Sequence, residues 1–245
     1  MSNEITINLQ PSGAVIGQSI PGGWWMVHVA AGEAPPGAIA AAVGSLCRAA
    51  VVAGGRLALA FHGASTPAPY PAAGFTHLTR MVFLRGWVKR PHTARGQLRT
   101  IADLEFRLGA RDTHALVANL IGLSYEDAAD CPELCPYRSP SEALDSHRAH
   151  GLDPTQSVVC YLDRVPVGVC LLGKLDTQRD LLYLGLAPQA RGIGLGTSML
   201  TAAAGGKLIT CCVDERNTDA LRSYDRLGLA QSATRDMFIK PLSTE

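Results

Sequence analysis

No unbroken apolar run of 18 residues occurs in this 245-residue chain, so no membrane-spanning helix and no membrane partner are expected. The opening Met1-Ser2-Asn3-Glu4-Ile5 lacks a basic n-region, and no signal peptide is expected. Carboxylates are missing altogether from Ala34 to Ala102: residues 1–102 hold two acids, Glu4 and Glu33, against eight Lys and Arg. The cations Arg80, Arg85, Lys89, Arg90, Arg95 and Arg99 cluster in that interval. A solvated basic surface is the plain reading, and a patch for an anionic partner is the sharper one. Aromatic residues are sparse, at 6%, with Trp87 standing out among these cations, so a nucleic-acid partner is not expected. Cys131 and Cys135 have no second cysteine pair at zinc-site spacing, and no metal is expected. Seven cysteines, odd in number and mostly set in apolar runs, suit reduced thiols in a cytoplasmic protein. With 47% hydrophobic residues and net charge +1, the chain reads as globular, with room for one large domain or two small ones.

What is present is concentrated between residues 181 and 200. The apolar run Leu181–Ala187 stops at Pro188, crosses a polar turn, and enters Arg191-Gly192-Ile193-Gly194-Leu195-Gly196-Thr197 before a helix-forming segment. Strand, glycine-rich turn and helix N-terminus together gather bare backbone N–H groups and the positive end of a helix dipole. Glycines at alternate positions let a diphosphate lie directly on the backbone. Arg191 is expected at the mouth of this loop, adding a charge-assisted bond. Spacing excludes two common phosphate binders. Gly-x-Gly-x-x-Gly fails because its sixth position is Thr197 or Met199, and Gly-Lys-Ser/Thr is absent.

A second segment follows. Lys207–Val213 reads as a buried strand, then Asn217 opens a helix carrying Ala220, Leu221, Tyr224 and Leu227 at helical spacing, with Gly228 as its stop. Asn217 suits either a helix cap or a cofactor contact. Arg191-x-x-Gly194-x-Gly196 together with Asn217-x-x-Ala220-x-x-x-Tyr224-x-x-x-Gly228 resembles the GCN5-related N-acetyltransferase (GNAT) family. Leu229 stands where the family pattern has Phe.

The resemblance implies an α/β fold with a central mixed sheet flanked by helices, over residues 97–245. The elements expected there are a strand at Gln97–Phe106, helices at Asp112–Ser124 and Pro140–His150, a hairpin of Gln156–Leu162 with Val165–Lys174, a turn at 176–180, and the elements already described. Residues 1–92 are expected to hold strands at Trp24–Ala30, Arg56–Phe61 and His77–Leu84 and a helix at Pro36–Ala53. Tyr70 and Gly74 there echo Tyr224 and Gly228, so this segment reads as a degenerate half-repeat of the same fold without a CoA motif.

The resemblance further implies acetyl-CoA as cosubstrate and a small-molecule or peptide amine as acceptor, in a monomer or homodimer. Leu186 and Ala187 would bond the acetyl carbonyl and pantetheine, and Gly192, Ile193, Gly194, Leu195, Gly196 and Thr197 the pyrophosphate. Tyr224 would be the general acid; its alternative is a core tyrosine of an amphipathic helix. The strand before the loop carries no carboxylate, with Asp180 only at its edge, so no base is evident and a non-catalytic CoA-binding protein is the alternative. The acidic loop Tyr125–Glu133 would line the acceptor side, or is simply solvated.

Overall fold

Period-two burial sets the N-terminal strands: Val15 and Val27 are buried within runs whose neighbours are more open. The computed structural model describes residues 4–63, 68–88, 96–174 and 177–243. Lys89, Arg90 and Arg95 of the basic cluster, and Asp176 of the expected turn, lie outside the described residues. The chain divides into two compact units, Met1–Met81 with Thr234–Glu245, and Val82–Ala233.

In the first unit β1 (Glu4–Asn8), β2 (Gly13–Ile20) and β3 (Trp24–Ala31) form an antiparallel meander. Helix α1 (Pro36–Val52) starts on a proline, whose missing N–H costs nothing at a helix entrance. It buries Ile39, Val43, Leu46, Cys47 and Ala50 along one face. β4 (Leu57–His62) then pairs in parallel with β3. Beyond a turn at Pro71–Ala73 the chain enters β5 (Thr76–Trp87), which runs on into the second unit. Arg80 of the acid-free stretch finds its carboxylate here, Asp236 at 3.2 Å.

The second unit continues with β6 (Gln97–Thr100), α2 (Ile101–Leu108), α3 (Ala110–Tyr125), a short turn of helix at Pro132–Tyr137, and α4 (Pro140–Ala149). The expected strand over Gln97–Phe106 is therefore a strand only to Thr100. The Thr100 hydroxyl accepts the Asp103 N–H at 3.1 Å and caps a helix whose Ile101 and Leu104 are buried three residues apart. Next come β7 (Val158–Leu162) and β8 (Val165–Lys174), joined by Asp163 and Arg164 at φ 49° and 67°, the positive values that a two-residue hairpin turn demands. Strand β9 (Gln178–Leu186) starts inside the segment expected to be a turn. Helix α5 (Leu195–Ala204), β10 (Leu208–Asp214), α6 (Thr218–Leu227) and β11 (Ala230–Pro241) complete the chain.

The strand order in the second unit is β5-β10-β9-β8-β7-β6, and in the first β1-β2-β3-β4-β11. Alternation along β8 serves two cores. Cys170 and Leu172 pack with Leu195, Met199, Leu200 and Leu227 on the α5–α6 side, while Val169 and Leu171 pack with Ile101, Leu120, Ile121 and Leu144 on the α2–α4 side. This is the α/β mixed sheet flanked by helices that the sequence implies.

The two Tyr–Gly segments end in the same local geometry. Phe75 N–H donates to Tyr70 O at 3.2 Å and Leu229 N–H to Tyr224 O at 3.0 Å, with Gly74 and Gly228 at φ 80° and 91°. Both are left-handed turns that favour glycine. In the second unit Gly86 of β5 lies against the second of these turns. A Cβ added at Gly86 would press on the Gly228 carbonyl and come within 2.8 Å of Leu229 Cα, backbone that cannot rotate away. Gly86→Ala is expected to lower stability by about 1–3 kcal/mol, read as a shift of the urea midpoint at unchanged slope.

Candidate active site and cofactor cradle

Strands β9 and β10 pair in parallel only over Gln178–Asp180 with Leu208–Thr210. Beyond that β9 continues to Leu186 and β10 to Asp214, and the two diverge. A bulge contributes: Leu171 of β8 faces Tyr183 and Leu172 faces Leu181, leaving Leu182 as an extra residue that bends β9. The ladder also fixes which backbone groups face the gap. Ala187 N–H donates to Val167 O at 2.9 Å, so the neighbouring pair Leu186 and Gly168 is of the non-bonded kind. The Leu186 N–H and C=O consequently point away from β8, into the splay.

The glycine-rich turn stands at the end of β9. Pro188–Ala190 forms a tight turn, and Gly192 and Gly194 follow at φ 77° and 87°. Thr100, Ser139 and Asn217 cap α2, α4 and α6 with their side chains, whereas α5 has no side-chain cap. Its first-turn N–H groups, on Leu195, Gly196 and Thr197, have no acceptor within the helix. A Cβ at Gly192 would meet nothing within 4 Å, and one at Gly196 would only touch Leu186 and Leu184 at 3.7 and 3.8 Å. Among the described residues, nothing crowds the face over this turn at Gly192 and Gly196. Buried Leu195 anchors the turn from below, and Ile193 is 39% exposed beside it. The donor set and the bare backbone fit a diphosphate.

Arg191 departs from its expected place at the mouth. Its Nε donates to Leu186 O at 3.1 Å, Nη1 to Asp127 O at 3.3 Å, and Nη2 to Ser124 O at 3.1 Å and Glu126 O at 2.7 Å. A guanidinium has five N–H groups, and four are taken by carbonyls. Three of those carbonyls lie at or just past the C-terminal end of α3, where helix carbonyls lack partners and a cation is favoured. Arg191 fastens the loop to α3. Ala187 also departs from expectation: its N–H serves Val167 and its carbonyl accepts the Ala190 N–H at 2.9 Å, so only Leu186 of that pair keeps a backbone donor toward the gap.

Asn217 Oδ1 accepts the Ala220 N–H at 3.2 Å, which makes it the cap of α6. Seven residues on, Tyr224 is buried at 8% exposure, and its hydroxyl has no hydrogen-bond partner among the described residues. Burial pushes the Tyr224 phenol well above its ordinary pKa, with the neighbouring Cys211, Asp130, Cys170 and Cys212 adding to the shift. The phenol is held neutral, a proton donor across the physiological range.

One cluster escaped the sequence reading. Asp214, at the end of β10, is fully buried. Arg216 Nε lies 3.0 Å from each of its carboxylate oxygens, and the Cys131 N–H donates to it at 3.1 Å. Arg216 also reaches Glu133 at 2.6 and 3.0 Å. These bonds to Glu133 and Asp214 drive the Arg216 pKa further up. Asp130 Oδ1 accepts the Asp214 N–H at 2.8 Å. Ligand-type atoms of Asp130, Cys131 and Asp214 lie within 4.8 Å of one another, but Arg216 already supplies the positive charge, and burial raises the Cys131 thiol far above the thiolate range. The only sequence signal was acidity in the Tyr125–Glu133 loop; nothing local tied it to Asp214.

If Arg191 acts as a fastener, its charge alone is insufficient. Arg191→Lys should lose about 1.5–3 kcal/mol of stability, nearly as much as Arg191→Ala, in urea unfolding; a lysine variant as stable as wild type would refute the clamp.

Residues 124–229 match the family model described as Acetyltransferase (GNAT) family. No curated protein matches the chain. Among solved structures, a GCN5-related N-acetyltransferase from Sphaerobacter thermophilus is similar at a TM-score of 0.66 and 14% identity, over 98% of this chain and 81% of that one. One from Kribbella flavida is similar at a TM-score of 0.62 and 17% identity, over 98% and 90%. A tandem GNAT protein from the clavulanic acid biosynthesis pathway is similar at 0.56 and 12% identity, over 99% and 83%. At these identities the likeness is one of fold. The splayed strands, the uncapped glycine turn and the capped tyrosine helix all fall inside the segment, residues 124–229, that matches the GNAT acetyltransferase family model.

Proposed function

We propose that the chain moves an acetyl group from acetyl-CoA to a primary amine of a small molecule or peptide. The observation that carries this reading is the juxtaposition at one end of β9: an uncapped α5 N-terminus behind bare glycines, beside a strand whose Leu186 N–H faces an open splay. The first-turn amides of α5 would hold the pyrophosphate, and Gly192 and Gly194 would let it approach. Pantetheine would follow the splay, with the Leu186 N–H donating to it or to the thioester carbonyl. Tyr224, kept neutral by burial, would protonate the sulfur as it leaves. Asn217 acts through α6, as the cap that positions Tyr224. All seven cysteines are free thiols, in keeping with a reducing compartment such as the cytoplasm.

Two measurements test this. Calorimetry should find saturable acetyl-CoA binding to wild type, weakened by at least about tenfold, or 1.4 kcal/mol, in Gly194→Glu. Gly194→Asn, which tolerates the left-handed backbone and adds no charge, controls for folding and should bind more tightly than the glutamate variant. Tyr224→Phe should keep acetyl-CoA affinity while kcat falls by about 10²-fold or more. An unchanged kcat would remove Tyr224 as the acid, and binding without any transfer by wild type would leave a CoA-binding protein that does not turn over.

A further inference from the structure

Strand β9 offers no carboxylate in the splay, for Leu181 to Leu186 are apolar but for Tyr183 and Gly185. A carboxylate reaches the region from elsewhere. The loop after α3 lays Asp130 on the end of β10, where Oδ1 accepts the Asp214 N–H at 2.8 Å. That single bond fixes the carboxyl, and Asp130 as a residue is exposed. The neighbouring carboxylate is in the opposite condition: Asp214 is fully buried and committed to Arg216 and the Cys131 N–H. Asp130 is thus the member of the pair that can exchange a proton with an arriving molecule. Its charge also bears on the Tyr224 phenol.

We propose that Asp130 is the catalytic carboxylate that receives the acceptor's ammonium group and takes its proton. This rests on the acetyl-transfer reading above. One N–H proton of the ammonium passes to the Asp130 carboxylate. The freed lone pair forms the N–C bond to the acetyl carbon, and the C–S bond breaks. The sulfur takes the Tyr224 proton, and the second nitrogen proton returns to the Tyr224 oxygen. The products are an amide and a free thiol, with one proton left on Asp130 for release to water.

The surroundings suit the task. Desolvation of the carboxyl raises the Asp130 pKa, and the Asp214 charge adds to it, while the Asp214 N–H bond and Arg216 act the other way. Cys131 from its own loop and Cys211 and Cys212 from β10 also face it. So do Tyr183 from β9 and Tyr224 from α6; burial raises all five of these groups, keeping them neutral. Asp130 therefore changes charge as pH rises from acid toward neutrality, as does Asp180, which burial also raises and which bears on the same Cys211 and Cys212. The base form of Asp130 gains population in that direction.

The test compares wild type, Asp130→Asn and Asp180→Asn with acetyl-CoA and two acceptors, following thiol release. n-Butylamine is an ammonium ion at neutral pH and needs a base; hydroxylamine is already neutral. Asparagine keeps the Oδ1 acceptor for Asp214, so the loop stays anchored. Asp130→Asn should lose about 10²–10⁴-fold in kcat/KM with n-butylamine and lose the rise of that rate with pH. Its hydroxylamine rate and its calorimetric affinity for acetyl-CoA should stay at wild-type values, and Asp180→Asn should match wild type throughout. Asp130→Asn that keeps its n-butylamine rate overturns the assignment and leaves acetyl transfer standing. Loss with both acceptors, or loss of acetyl-CoA binding, also overturns it, in favour of a structural role. Wild-type transfer to hydroxylamine alone overturns it too, since an ammonium acceptor is what Asp130 would deprotonate. A wild type that binds acetyl-CoA but acetylates neither acceptor sinks the acetyl-transfer reading itself.

Discussion

The site depends first on one guanidinium. Arg191 gathers carbonyls from Leu186 at the end of β9 and from Ser124, Glu126 and Asp127 around the C-terminus of α3. Each of those carbonyls would otherwise need water or another donor, and hydrogen bonds to a charged group are the stronger kind. The consequence is geometric. The glycine turn on one side and the acidic loop on the other start from the same fastened point, so the turn and the Asp130 loop hold a fixed relation. A lysine, with one compact ammonium, has no planar fork with which to join several carbonyls at once.

The charge arrangement around β10 follows a related logic. A fully buried carboxylate is costly unless paired and hydrogen-bonded. Asp214 meets both conditions through Arg216 and the Cys131 N–H, and Arg216 in turn engages Glu133. The Asp130 loop is thereby stitched to the strand end from both sides, and Asp130 itself is left lightly bonded. Strong and weak bonding of adjacent carboxyls separates their behaviour: one is committed to Arg216 as structure, the other is pushed toward protonation by burial. The same residues that close the loop prepare the acid that stands at its edge.

Tyr224 is a second case of one feature serving two ends. It belongs to the core that α5 and α6 share with β8 and β10, and its burial is what keeps the phenol protonated. The alternatives of core tyrosine and proton donor are therefore compatible: the packing produces the protonation state. Asn217 is similar in part, for its cap geometry is explicit while any contact with cofactor would need its remaining amide nitrogen.

Local chemistry was legible in the sequence. Gly192 and Gly194 marked a glycine-rich turn, Asp163 and Arg164 a hairpin, Gly228 a helix stop, and the runs of apolar residues the strands and helix faces, because each depends on neighbours within a few residues. The Gln97–Phe106 strand was misread past Thr100 because a short apolar run suits either period until its cap is seen. What only the tertiary structure decided is how side chains are used across the chain. Arg191 looked like a phosphate ligand from its place beside the glycines, yet three of its four partners lie 64 to 67 residues away. Asp130 looked like one acid among several in a loop until folding set it 2.8 Å from an amide 84 residues on. Sequence determines which bonds a residue is able to make; the packing of distant elements determines which of them it has left to give.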